Sequence, residues 1–142
     1  MPKNKVIFAD DDTAMRNIVS GLLQQNGYEV LVAKDGEETV RLTKETLPAA
    51  VIMDIKMPNK NGIEACRELK ANSATRQIPV IMLTGSAGLE EINQAMTCGA
   101  VSCLTKPCDT KSLLETLSNA ISPGQQTRWT SAKRRDTGPA KN

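Results

Sequence analysis

Apolar residues enter this chain in two rhythms. Val6-Ile-Phe-Ala9, Ala50-Val-Ile-Met53 and Val80-Ile-Met-Leu83 are short unbroken runs. A strand covered on both faces reads this way, because neither side of its pleat meets water. These runs predict three central strands of a parallel sheet. Tyr28-Glu-Val-Leu-Val-Ala33 and Ser102-Cys-Leu-Thr105 carry polar interruptions, which suits the two outer strands.

Between the runs the period lengthens. Met15, Ile18, Val19, Leu22 and Leu23 fall on one helical stripe, with Asp12 or Thr13 as a cap and Gly27 as a stop. Shorter stripes are Ile63/Cys66/Leu69, Ile92/Ala95/Met96 and Leu113/Leu114/Leu117/Ile121, the last with Asp109 placed to cap it. Asp35–Glu45 reads as the weakest helix, since Thr39 and Thr43 stand where larger apolar residues would help. Strand and helix thus alternate five times. Right-handed crossovers wind such a chain into a doubly wound α/β sheet with helices on both faces. Residues 1–121 are expected to form this domain. After Ile121 the apolar period stops, and 122–142 are expected to be a flexible tail.

A chain of 142 residues fits one domain, able to bury roughly two-thirds of the surface its unfolded form exposes. Only Phe8, Tyr28 and Trp129 are aromatic, so the core must be aliphatic. The net charge of +2 is unevenly spread: residues 1–121 hold 13 basic and 15 acidic side chains, residues 122–142 five and one. Arg128, Trp129, Lys133, Arg134 and Arg135 could touch nucleic acid, but no folded DNA-reading module fits in the tail, and nucleic-acid binding is not expected. The N-terminal apolar run is too short for a signal peptide or a membrane span, so a cytoplasmic protein with no membrane contact is expected. Cys66, Cys98, Cys103 and Cys108 contain no CxxC pair and are read as small core residues rather than a zinc site or disulfide framework. Histidine is absent, which removes histidine bases and Ser/His/Asp triads.

The chemistry lies where apolar runs stop. Ala9 gives way to Asp10-Asp11-Asp12, Met53 to Asp54, Leu83 to Thr84, and Leu104-Thr105 to Lys106-Pro107. All four junctions fall at carboxyl ends of predicted parallel strands, the edge at which open α/β sheets bind ligands. Asp12 is accounted for by helix capping; Asp10 and Asp11 are not. Crowded carboxylates call for a cation, and an oxygen-only donor set favours a hard ion such as Mg²⁺. A carboxylate beside such an ion can attack phosphorus, with Asp54 as nucleophile, Lys106 as a point charge and Thr84 as hydroxyl donor to phosphoryl oxygens.

Taken together, Asp10-Asp11, Asp54-x-x-Met57-Pro58-x-x-x-Gly62, Thr84 and Lys106-Pro107 closely resemble the receiver domain of bacterial two-component response regulators, of the chemotaxis-regulator kind, over roughly residues 4–121. The resemblance implies a flavodoxin-like five-stranded sheet of order 2-1-3-4-5. It implies that Asp54 accepts a phosphoryl group, that Asp11 ligates Mg²⁺ directly, Asp10 through water and Lys56 through its backbone carbonyl, with Asp54 also in the metal set, and that the Lys106–Pro107 peptide bond is cis. The phosphoryl donor is then a phosphohistidine on a sensor histidine kinase or histidine phosphotransfer protein. The output is a protein contact on the face of the fourth helix, fifth strand and fifth helix, near Glu90, Glu91, Gln94, Cys103 and Lys111.

Two positions depart from that pattern. Cys103 stands where the family usually has an aromatic residue or histidine that swings inward as Thr84 moves, so the switch pair Thr84/Cys103 has no ring to bury. The loop Gly85-Ser86-Ala87-Gly88 is expected to carry more of the change. Lys56 either points to solvent or brings its ammonium near Asp10 and Asp54, which would weaken Mg²⁺ binding. The expectation is a stand-alone phosphoacceptor switch rather than an enzyme, apart from self-catalysed phosphotransfer and slow autodephosphorylation. The alternatives are an aspartyl-phosphate phosphohydrolase, for which Lys56 stands where a general-acid aspartate is wanted, and a receiver-like scaffold that is never phosphorylated.

Overall fold

A computed structural model of the chain describes residues 4–85, 89–106 and 109–122. In chain order they form β1 (Asn4–Ala9), α1 (Thr13–Gln25), β2 (Tyr28–Ala33), α2 (Gly36–Thr46), β3 (Ala50–Asp54), α3 (Gly62–Ala71), β4 (Val80–Thr84), α4 (Leu89–Thr97), β5 (Ser102–Thr105) and α5 (Thr110–Ile121). The five strands are all parallel in the order β2-β1-β3-β4-β5, so the three continuous apolar runs are the inner strands and the two interrupted ones the edges. Ser86–Gly88, the Lys106–Pro107 peptide bond, Cys108 and the basic tail from residue 123 lie outside the described residues. Among the described residues no helix is long and apolar enough to cross a membrane.

Alternation along the inner strands sorts the core into two layers. Ile7, Ala9, Val51, Met53, Val80 and Met82 pack with Val40, Ile63, Cys66, Leu69, Ala95 and Cys98, which places α2, α3 and α4 on one face. Val6, Phe8, Ala50, Ile52, Ile81 and Leu83 pack with Val19, Leu23, Leu113, Leu117 and Ala120 from α1 and α5 on the other. Cys66 and Cys98 are buried core residues, as expected, and the Cys66 thiol donates to the Cys98 carbonyl at 3.5 Å.

Two apolar stripes are narrower than the periodicity suggests. In α1 Val19 and Leu23 are buried but Ile18 is 65% exposed. It lies ~100° of helical arc from Val19, enough to leave the contact zone. In α4 Ala95 is buried and Met96 exposed. The polar content of α2, by contrast, does no harm. Thr39 and Thr43 are fully buried, and their hydroxyls donate to the Asp35 and Thr39 carbonyls at 2.7 and 2.6 Å. Satisfied in this way, a threonine packs as a small branched residue.

Each of the expected caps forms. Asp12 accepts from the Ala14 and Met15 N–H groups, and Asp109 from Ser112 at 2.7 Å. The N-terminus of α2 has a second task. One Asp35 oxygen accepts from the Glu38 N–H at 2.8 Å, and the other takes the Asn59 side-chain amide at 2.7 Å. The Gly36 N–H donates to the Lys60 carbonyl at 2.9 Å. A side chain at Gly36 would collide with that carbonyl, so the close approach demands glycine. The loop after β3, in which Asn59 takes a positive φ of 66°, is thereby pinned to α2.

Hydrogen bonds from the Glu38 N–H, and then from Asn59, with the charge of Lys34, hold the Asp35 carboxyl below its ordinary value against the opposing effect of burial. A depressed folded-state pKa stabilises the fold above the unfolded value and ceases to do so as pH falls through the folded one. Asp35→Ala is therefore expected to cost about 1–2 kcal/mol at neutral pH, with the gap to the native chain narrowing below roughly pH 4. Urea denaturation at pH 7, 5 and 3 measures it; a pH-independent gap would contradict the assignment.

Candidate functional site

Strand register places the charged residues. Ala9 pairs with Met53 across β1 and β3, so the next residues, Asp10 and Asp54, emerge side by side at the sheet's carboxyl edge. Asp54 pairs with Leu83, and Thr84 with Thr105, so Thr84 and Lys106 complete the row. Backbone bonds lock the strand ends: the Ile55 N–H donates to the Leu83 carbonyl at 2.9 Å and the Lys106 N–H to the Thr84 carbonyl at 2.7 Å.

Asp10 is 1% exposed and Asp54 8%. Two carboxylates this deep need a cation, and Lys106 provides one: its Nζ lies 2.9 Å from Asp10 Oδ2 and 2.8 Å from Asp54 Oδ2. The remaining Asp10 oxygen accepts from the Asp12 N–H at 2.9 Å, and its carbonyl from Arg16 Nη1 at 2.7 Å. Asp54 Oδ1 accepts the Lys56 N–H at 3.3 Å. Burial raises the Asp54 pKa; Lys106 opposes this, and the neighbouring Asp10 charge adds to it. Burial works against the Lys106 charge, but the two carboxylates outweigh it and raise its pKa. The pocket thus holds one more carboxylate than it has cations in contact with them.

Exposed Asp11 completes a trio. Asp10, Asp11 and Asp54 each offer an oxygen, and these lie within 4.8 Å of one another. Opposed ligands of an octahedral magnesium ion stand ~4.2 Å apart, so small side-chain movements would close the set around a hard divalent cation. No nitrogen or thiolate belongs to the trio, which disfavours the softer transition metals. The loop that follows Asp54 is fixed by Gly62, whose N–H donates to the Ile55 carbonyl at 2.7 Å.

Asp10, Asp11, Asp54 and Lys106 therefore come together as the strand-end pattern suggests, and Thr84 stands on the adjacent strand. Thr84 is buried, and its hydroxyl donates to Glu91 Oε1 of α4 at 2.8 Å. The Lys56 side chain does not neutralise the acidic pocket: it is 77% exposed and pairs with the other Glu91 oxygen at 3.6 Å. Lys56→Asn is therefore not expected to tighten metal binding through relief of a local positive charge. Cys103 is half-buried on β5; burial pushes its thiol pKa up, and the Glu91 carboxylate adds to this. Reading the sequence missed the anchoring duty of Arg16 and of the Asp35–Asn59 pair. It also placed Glu91 only on an outer face, since a residue seven positions after Thr84 belongs to no local motif.

The chain matches the family model described as response regulator receiver domain over residues 6–118. It is 34% identical over 120 residues to the protein PilH of Pseudomonas aeruginosa, spanning 84% of this chain and 98% of PilH. Among solved structures it is similar to the chemotaxis response regulator CheY4 of Vibrio cholerae, with 32% identity, a TM-score of 0.78 and coverage of 84% and 99% of the two chains. It is also similar to the receiver domain of the Pseudomonas aeruginosa sensor histidine kinase PA1611, with 26% identity, a TM-score of 0.79 and coverage of 84% and 98%. That receiver domain was solved with a magnesium ion coordinated in its active site cleft. Two further curated relatives are longer, and the aligned region spans 42% and 57% of their length.

Proposed function

The chain belongs to the response regulator receiver domain family, and on that footing we propose that Asp54 is the phosphoryl acceptor of a two-component signalling switch. The observation that carries the reading is the buried Asp54 carboxylate held by Lys106 beside Asp10, with Asp11 within reach of the same ion. An Asp54 oxygen attacks the phosphorus of a phosphohistidine on a partner kinase or phosphotransfer protein. The new P–O bond forms as the P–N bond breaks, and the electron pair leaves on the imidazole nitrogen, where a proton neutralises it. Lys106 stays beside the acceptor and takes part of the charge that spreads over the phosphoryl oxygens. Thr84 supplies a hydroxyl to one of those oxygens.

Asp10, Asp11, Asp54 and the Lys56 carbonyl are the groups that would hold magnesium. The ion, when bound, neutralises negative charge during transfer, and the coordinated magnesium in the PA1611 receiver domain supports that choice. The hydrolase alternative is disfavoured by the residue two positions after Asp54. A general acid is wanted there, but Lys56 turns its side chain toward Glu91.

Incubation with acetyl phosphate and Mg²⁺ tests the reading. A magnesium-dependent mass gain of one phosphoryl group, lost in Asp54→Ala, is expected. Continuous turnover of unrelated phosphate esters would point to the hydrolase, and no incorporation under any condition to an idle scaffold.

A further inference from the structure

Glu91 reaches from α4 across the two loops that flank Asp54. One of its oxygens accepts the Thr84 hydroxyl at 2.8 Å and the other faces the Lys56 ammonium at 3.6 Å. Thr84 closes the strand beside Asp54, and Lys56 follows Asp54 by two residues, with its N–H on Asp54 Oδ1. One carboxylate therefore ties the ends of β3 and β4 to the first turn of α4. With its side chain 23% exposed, Glu91 is screened enough from water for the Thr84 contact to matter, while the pair with the 77% exposed Lys56 side chain is the weaker of the two.

A threonine hydroxyl carries a single hydrogen. It can donate to Glu91 or to a phosphoryl oxygen on Asp54, not to both. Lys56 faces the same choice between a carboxylate and a group that carries nearly two negative charges. We propose that Glu91 is a positioning residue that restrains the switch: it holds Thr84 and Lys56 in the unphosphorylated chain, and a phosphoryl group on Asp54 takes both from it. Freed of both ties, Glu91 no longer links the first turn of α4 to the ends of β3 and β4, and its carboxylate moves relative to half-buried Cys103. This gives the chain a route from the site to α4 and β5 that needs no aromatic ring at position 103. The inference rests on the phosphoacceptor reading of Asp54 and supplies its conformational readout.

Beryllofluoride, a phosphoryl mimic, tests both without turnover. Its affinity for the full chain in the presence of Mg²⁺ is measured by ¹⁹F NMR for the native protein, Glu91→Ala and Glu91→Gln. Glu91→Ala is expected to bind about five- to tenfold more tightly, the worth of a charge-assisted hydrogen bond discounted for partial exposure. Glu91→Gln keeps an acceptor for Thr84 but no charge for Lys56, and should fall between. In the free Glu91→Ala protein, amide shifts of residues 89–97 should already move toward those of the loaded native chain, which loss of stability alone would not produce. If Glu91→Ala does not fold, the near-isosteric Glu91→Gln carries both readouts. Native binding with unchanged or weaker affinity in the folded variants overturns the restraint alone. Absence of binding by the native chain overturns the phosphoacceptor reading, and the restraint falls with it.

Discussion

Lys106→Met is expected to slow phosphoryl uptake from a small phosphodonor roughly 10²- to 10³-fold, the loss typical when one fixed charge-stabilising group is removed from a transfer site. The same substitution should destabilise the fold. Lys106 is the cation in direct contact with both buried carboxylates, and methionine fills a similar volume without charge. Breaking a buried pair costs about 3–5 kcal/mol; the Lys106 side chain is 23% exposed, so about 2–3 kcal/mol is the better expectation. The sign can be checked within the pair. Adding Asp54→Asn to Lys106→Met removes one of the two repelling charges and should recover most of the loss in a urea midpoint. Additive losses would mean that Lys106 does not act through Asp54.

Gly62→Ala should be nearly as damaging for a different reason. A side chain at Gly62 would run into the carbonyl of Asp54 itself and stand 3.0 Å from Ile55 Cα. Both neighbours are backbone at the end of a fully buried strand, so neither can rotate away. Overpacking costs about 1–3 kcal/mol, and relief here requires the loop or the strand end to shift. Shifting that loop displaces the Lys56 carbonyl and turns the Asp54 side chain. Gly62→Ala should therefore lower both the urea midpoint and phosphoryl uptake, whereas a surface substitution on the same helix, such as Arg67→Ala, should change neither. A stability loss below about 1 kcal/mol would show that the strand end yields more easily than its burial implies.

How far the sequence could be read depended on the distance over which each feature is specified. The three inner strands were legible because covering both faces leaves an unbroken apolar run, and their carboxyl ends were legible because Asp10, Asp54 and Thr84 interrupt those runs abruptly. Parallel register then brings the ends together with no further information. Caps at Asp12 and Asp109 sit within three residues of the N–H groups that donate to them and could be placed locally, whereas the cap at Asp35 heads the helix that the pattern marks most weakly. The burial of Thr39 and Thr43 was less apparent, since it depends on hydroxyls finding carbonyls four residues back. Exposed Ile18 shows the converse error: periodicity sets direction around a helix, while packing sets how wide the buried arc is. Lys56 and Glu91 were harder still. The sequence marks Lys56 as a departure with its direction open and puts Glu91 only on an outer face; the approach of α4 to the β3 and β4 loops is what pairs them and adds Thr84.

The most direct measurement of the acceptor is chemical. The native chain is phosphorylated by acetyl phosphate with Mg²⁺ and reduced with borohydride, which converts an aspartyl phosphate to homoserine, and its peptides are sequenced by mass spectrometry. Homoserine is expected at position 54, with Asp10 and Asp11 unchanged. Homoserine at position 10 or 11 instead, or none at position 54 in a sample that has gained a phosphoryl group, would contradict the assignment of Asp54.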